Sequence, residues 1–161
     1  MKLWAKVALL SLGGFGVGFG TISAFFGNEN ASANSSSKDS GKTTDVDWSR
    51  LRELDLASGR PSDFLKSVDG TSVRVPGFMV PLEDNQQSVS EFLLVPSPQA
   101  CIHTPAPPPN QIVYVKMAPG SRAKMSYGPV WVKGKLRITE VGHAYGKASY
   151  ELLGLQTEPY N

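Results

Sequence analysis

The chain has 161 residues, 40% of them hydrophobic and 19% charged, with a formal net charge of +2. That balance suits one globular domain and gives no electrostatic case for nucleic-acid binding. A lone cysteine, Cys101, excludes an internal disulfide.

The N-terminus reads as an export signal. Lys2 and Lys6 precede an uncharged run from Val7 to Phe26, and Ala31-Ser32-Ala33 forms an A-x-A cleavage site. The positive end should stay in the cytoplasm and the rest should cross. The run is long enough to span a bilayer. Its glycines at 13, 14, 16, 18 and 20 weaken it as a permanent anchor and favour a removable signal. The expectation is a periplasmic or otherwise exported protein, soluble after cleavage or held to the inner membrane by an uncleaved leader over residues 1–33. No other membrane contact is expected. Losing Lys2, Lys6 and Glu29 with the leader lowers the net charge to +1.

Residues 34–45 contain no apolar side chain and read as a disordered tether. Residues 46–161 then form the single expected domain. Asp47 is a good N-cap, and Trp48, Leu51 and Leu54 recur at helical spacing. Pro61 can open a second short helix through Phe64, Leu65 and Val68, and Asp69-Gly70 turns the chain into strands.

Beyond Gly70 the period becomes two. Val73 and Val75 alternate, and Pro76-Gly77 predicts a bulge that puts Phe78 and Val80 out of phase. A second strand, Val89 to Val95, carries Phe92-Leu93-Leu94-Val95 and should be covered on both faces. A third runs from Gln111 to Met117. Val130, Val132, Leu136 and Ile138 mark a fourth with a bulge at Gly134, and Ala148 to Leu155 a fifth. The expected fold is mainly β, a small five-stranded OB-like barrel preceded by short helices, with a small β-sandwich as the alternative.

The segment Cys101 to Gln111 holds the chemistry. In an extended chain Cys101 and His103 point to one face with Cα atoms about 6.5–7 Å apart. A thiolate and an imidazole so placed can both reach zinc or copper. His143 is the other histidine, and Glu83, Asp84 and Glu91 are candidate oxygen donors. The structural alternative is a buried, inert Cys101. A third reading is a thiol-dependent enzyme with Cys101 as nucleophile and His103 as base, although no glycine-rich turn nearby suggests an oxyanion site. The prolines at 105, 107, 108 and 109 form a stiff ridge that either docks a partner or shields the domain. Asn110 and Gln111, at its exit, should bond back to the loop and fix it.

Three blocks carry a family likeness: Gly77-Phe78-Met79-Val80-Pro81-Leu82, Glu91-Phe92-Leu93-Leu94-Val95-Pro96, and Cys101 through Gln111. They resemble the pattern of domain-of-unknown-function family 3299 of exported bacterial proteins, with Ala106 where a further proline is usual. The resemblance runs from about Trp48 to the C-terminus. It implies no assigned activity, but a role as an accessory to membrane transport systems for export or metal uptake. A non-catalytic binding domain with transporter components as partners is therefore the expectation.

Trp131, Lys133, Lys135 and Arg137 share the outer face of the fourth strand. Basic residues with an aromatic would suit single-stranded nucleic acid. Export disfavours that ligand, leaving an anionic lipid, an acidic partner or plain solvation.

Overall fold

This computed structural model describes residues 42–84, 87–98 and 106–160, all within one compact unit, Asp39–Asn161. The leader and most of the tether lie outside these residues. The described chain begins with a short strand β1 (Thr44–Asp45), two residues inside the stretch read as tether, which pairs in parallel with Val73 and Arg74. Helix α1 (Trp48–Leu51) follows, capped as expected when the Asp47 carboxylate accepts from Arg50 N–H at 3.0 Å. Helix α2 (Asp63–Val68) is capped by Ser62. Among the described residues no helix is long and apolar enough to cross a membrane.

Strand β2 (Ser72–Pro81) organises the sheet. It is followed by β3 (Ser88–Val89), β4 (Glu91–Val95), a 3-10 turn (Pro109–Gln111), β5 (Val113–Met117), β6 (Ala123–Lys124), β7 (Val130–His143) and β8 (Gly146–Pro159). Six strands make one mixed sheet in the order β1-β2-β4-β5-β8-β7, and β2 also pairs with β7. The bonds thus ring through five strands, with β5 and β8 parallel, yet the sheet is not a proper barrel. Strands β3 and β6 form a separate two-stranded ribbon. The mainly β class with short leading helices is as the sequence indicated. The sandwich alternative would divide the strands between two facing sheets, which one six-stranded sheet does not do.

The Pro76-Gly77 expectation needs correction. Burial alternates without a break through Val73, Val75, Gly77 and Met79, so the faces do not flip. What changes is the neighbour. Ser72 to Gly77 pair with β7, and Phe78 to Pro81 pair with β4. A Cβ on Gly77 would lie 2.8 Å from both Leu94 Cγ and the Val95 carbonyl oxygen, so only glycine admits this approach. The bulge foreseen at Gly134 is present, as a register shift between Lys133 and Gly134.

The expected second strand is two strands for a chemical reason. Glu83 Oε1 accepts from Ser90 N–H at 2.6 Å, from the Ser90 hydroxyl and from Glu91 N–H at 2.9 Å. Those amides are withdrawn from a ladder, and the chain steps from the ribbon into the main sheet. Glu83 Oε2 also accepts from Arg122 at 2.9 Å. The Ser90 hydroxyl and amide, with Arg122 and the Glu91 amide, hold the Glu83 carboxyl down at about 2, against 4.5 ordinarily.

The main core lies inside the ring, where Val75, Phe92, Leu94, Val115, Val132, Leu136 and Tyr150 are all fully buried. Leu51 and Leu65 from the two helices join it. Each fully buried Leu or Phe contributes roughly 1.5–3 kcal/mol. A second cluster gathers Leu93, Val95, Ile112 and Ala148, with Phe78, Val80, Leu82 and Tyr114 packed against it. Strand β4 is therefore buried on both faces, as its unbroken apolar run indicated.

Two outcomes follow for stability. In Gly134→Ala the new methyl would overlap the Leu153 carbonyl oxygen, whereas Gly142 has open space around it. Chemical denaturation should show a loss of about 1–3 kcal/mol for Gly134→Ala and almost none for Gly142→Ala. Because the carboxyl of Glu83 is depressed on folding, its contribution is complete above pH 4.5 and fades as pH falls towards 2. Glu83→Gln should therefore lower the melting temperature near neutrality and flatten its dependence on pH across that acid window.

Candidate functional site

Two of the sequence blocks that carry the family likeness, on β2 and β4, meet in space, and the described end of the third, 106–111, leads into β5 beside them. Strand β2 places Phe78 to Pro81 beside Phe92 to Val95 of β4, and β4 places Leu94 beside Val113, directly after the Pro109–Gln111 turn. Their outward side chains build the second apolar cluster. Cys101, His103 and Pro105 lie outside the described residues, between Pro98 and Ala106. Pro96, at the entrance to that segment, lines an apolar groove of about 270 Å³ with Trp48, Phe78 and Tyr160.

The exit is fixed by a short turn and its hydrogen bonds. Pro108 is exposed in polyproline II geometry (φ −60°, ψ 153°), and Pro107 and Pro109 are half-buried. Pro109 opens the 3-10 turn, in which Gln111 N–H donates to the Pro108 carbonyl at 2.8 Å. Asn110 and Gln111 are buried, at 8% and 9% exposure. Gln111 donates to the Asn110 carbonyl at 3.3 Å. Asn110 is anchored on the turn that follows α1. Its amide donates to the Leu54 carbonyl at 3.1 Å, with the Arg52 carbonyl at 3.5 Å. Asn110 Oδ1 is buried with no partner among the described residues. Nearby in sequence to Leu54, the Leu51 carbonyl accepts from the Tyr150 hydroxyl at 2.6 Å. The sequence carried no sign of either anchor, because their partners stand 56 and 99 residues away.

His143 ends β7. Its Nδ1 accepts from Tyr145 N–H at 3.2 Å, while Nε2 is buried without a partner among the described residues. Burial pushes its pKa below the usual value, and the backbone of Lys147 partly opposes that. A neutral ring that accepts at Nδ1 carries its proton on Nε2. In this arrangement Nε2 is a donor, and it must lose that proton before ligating a metal. Two of the three candidate oxygen donors, Glu83 and Glu91, are already engaged. Glu83 serves Ser90, Glu91 and Arg122, while Glu91 accepts from the Tyr114 hydroxyl at 2.7 Å and pairs with Lys116 at 3.2 Å. The Tyr114 hydroxyl is the leading cause of a lowered Glu91 pKa. Among the described residues no group of three or more His, Cys, Asp or Glu could hold a metal ion.

Trp131, Lys133, Lys135 and Arg137 do share the outer face of β7, alternating with buried Val130, Val132 and Leu136. Among the described residues Lys133, Lys135 and Arg137 form no ion pair. The face is not purely basic, because β8 sets Glu158 opposite Trp131 and Glu151 opposite Arg137. Residues that sequence reasoning missed complete it. Arg74 lies over the Trp131 ring at 4.2 Å, held by two hydrogen bonds to Asp45 at 2.9 and 2.7 Å. Tyr160 meets Trp131 at 5.1 Å. The outward phase of Arg74 between Val73 and Val75 was readable, but its neighbours depend on strand register.

A family model described as a protein of unknown function (DUF3299) matches residues 29–159. No curated protein matches the chain. The crystal structure of a DUF3299 family protein (PA4066) from Pseudomonas aeruginosa PAO1 is similar, with 32% sequence identity and a TM-score of 0.60. That similarity covers 75% of this chain and 98% of the Pseudomonas chain. This chain belongs to the DUF3299 family.

Proposed function

We propose that this chain is a non-catalytic binding module, exported to the periplasm, that works with a membrane transport system through its Cys101–Gln111 segment. One observation supports it above others. The blocks that carry the family likeness converge on one patch of β2, β4 and β5, and the segment leaves that patch through a buried, hydrogen-bonded root at Asn110. A stiff root beside an exposed polyproline turn is what presentation of a loop to a partner requires. The ring is read as OB-like, since its strand order, parallel β5–β8 pair and bulged β7 suit a small bent sheet of that kind.

The ligand of the segment follows from its chemistry. Cys101 and His103 would supply a thiolate and an imidazole to zinc or copper, and the prolines at 107, 108 and 109 would meet the partner. His143 would join as a ligand only after giving up its Nε2 proton. Nucleic acid is not part of this reading, and membrane contact is confined to the leader where it stays uncleaved.

The test is zinc content and affinity of the full chain purified reduced, beside Cys101→Ser, His103→Ala and His143→Ala. Stoichiometric zinc should be abolished by the first two substitutions and weakened less by the third. Absence of zinc would remove the metal and leave partner docking, which alanines at Pro107, Pro108 and Pro109 should abolish in cross-linking to transporter components. Fast alkylation of Cys101 at mildly acidic pH would mark an activated thiol and overturn the non-catalytic reading.

A further inference from the structure

A second site lies on other strands. Between β1, β2, β7 and β8 runs a cleft of about 230 Å³, lined by Asp45, Arg74, Trp131, Lys133, Gln156 and Glu158 among others. We propose that this cleft binds a neutral saccharide.

The charge on its walls decides the class of ligand. Two cations, Arg74 and Lys133, stand with two carboxylates, Asp45 and Glu158. A phosphate or a nucleic acid would meet both carboxylates, and a polyamine would meet both cations, so neither gains from entering. A hydroxyl both donates and accepts, and it can use such a wall from either side. Donors remain free for it. Asp45 engages Nε and Nη2 of Arg74, which leaves Nη1, and Lys133 forms no ion pair among the described residues. Acceptors are offered by the Gln156 side-chain oxygen and by Glu158.

The wall is also pre-organised. Arg74 is fixed twice, by Asp45 and by stacking on Trp131. Gln156 donates to Glu158 at 2.9 Å, and Tyr160 braces the indole from beside it at 5.1 Å. Side chains already ordered cost less to order on binding. Arg74 covers a face of the indole, so a sugar ring would lie against the guanidinium and the indole edge, next to the polar groups that meet its hydroxyls. The volume falls short of the roughly 300–1,000 Å³ of drug-sized sites, which suits a ligand that seats one ring and runs out into solvent.

The experiment follows indole N–H signals in nitrogen-15 spectra of the full chain, titrated with maltose and with N,N′-diacetylchitobiose. Diglycine and inorganic phosphate serve as charged comparators. The Trp131 signal, assigned through Trp131→Phe, should shift saturably with a disaccharide. The Trp48 signal should stay in place, because its N–H is held by the Pro76 carbonyl at 2.7 Å. Gln156→Ala and Lys133→Met, both at the surface, should weaken binding roughly tenfold without altering the thermal melt. No saturable shift with either disaccharide would overturn the proposal. So would unchanged affinity in both variants, or tighter binding of diglycine or phosphate at Trp131.

Discussion

Strand β2 has to serve two different neighbours, and the place where it changes from one to the other constrains everything built around it. Up to Gly77 its ladder belongs to β7, and from Phe78 it belongs to β4. Pro76 has no N–H to commit to either side. Gly77 has no side chain, so Leu94 and the backbone of Val95 close in to distances that a Cβ would forbid. The Trp48 indole then donates to the Pro76 carbonyl, which ties helix α1 to the same crossing. Without this exchange the sheet could not return on itself through β4, β5, β8 and β7. The core residues would then line an open sheet with one face to water.

Helix α1 is too short to be stable alone, and its terminal carbonyls lack partners within the helix. The fold makes joints of carbonyls at the helix end and in the turn after it. Tyr150, fully buried on β8, donates to the Leu51 carbonyl, and Asn110 at the root of β5 donates to the Leu54 carbonyl. Burial is the leading reason the Tyr150 hydroxyl loses its proton only far above the ordinary range, so it remains a donor at any ordinary pH. Two parts of the sheet distant in sequence are thereby locked to α1 and the turn that follows it. The exit of the Cys101–Gln111 segment inherits that rigidity, since Asn110 is one of the locks.

Local chemistry made much of this legible and long-range register made the rest obscure. The Asp47 cap, a second short helix after Pro61 (though Ser62 caps it and Pro61 stays outside), the special place of Gly134 and the double burial of β4 each depend on neighbours within a few residues, and each could be read in the sequence. The division at Ser90 could not, because it is imposed by a carboxylate seven residues back that captures two backbone amides. The Pro76-Gly77 pair was correctly marked as special but assigned the wrong consequence. A proline and a glycine within a strand announce that the ladder is interrupted, and only the third dimension says whether the faces flip or the partner changes. The site divides in the same way. Pro107 to Gln111 could be singled out from composition, whereas the carbonyls that anchor Asn110 come from the turn after α1, more than fifty residues earlier.

The outer face of β7 shows why a pattern of charge along one strand is not a surface potential. Lys133, Lys135 and Arg137 recur every second residue, and alone they would suggest a basic stripe. Antiparallel pairing sets Gln156 against Lys133, Glu151 against Arg137 and Glu158 against Trp131, while β1 delivers Asp45 to Arg74. Like charges repeated down a strand repel one another; Asp45 forms a close ion pair with Arg74, while Glu151 and Glu158 relieve the repulsion on β7 without one among the described residues. The same arrangement lowers the attraction of this face for polyanions and raises its capacity for neutral polar contact. The sign of the cations was written in one strand; the character of the surface is set by which strands lie beside it.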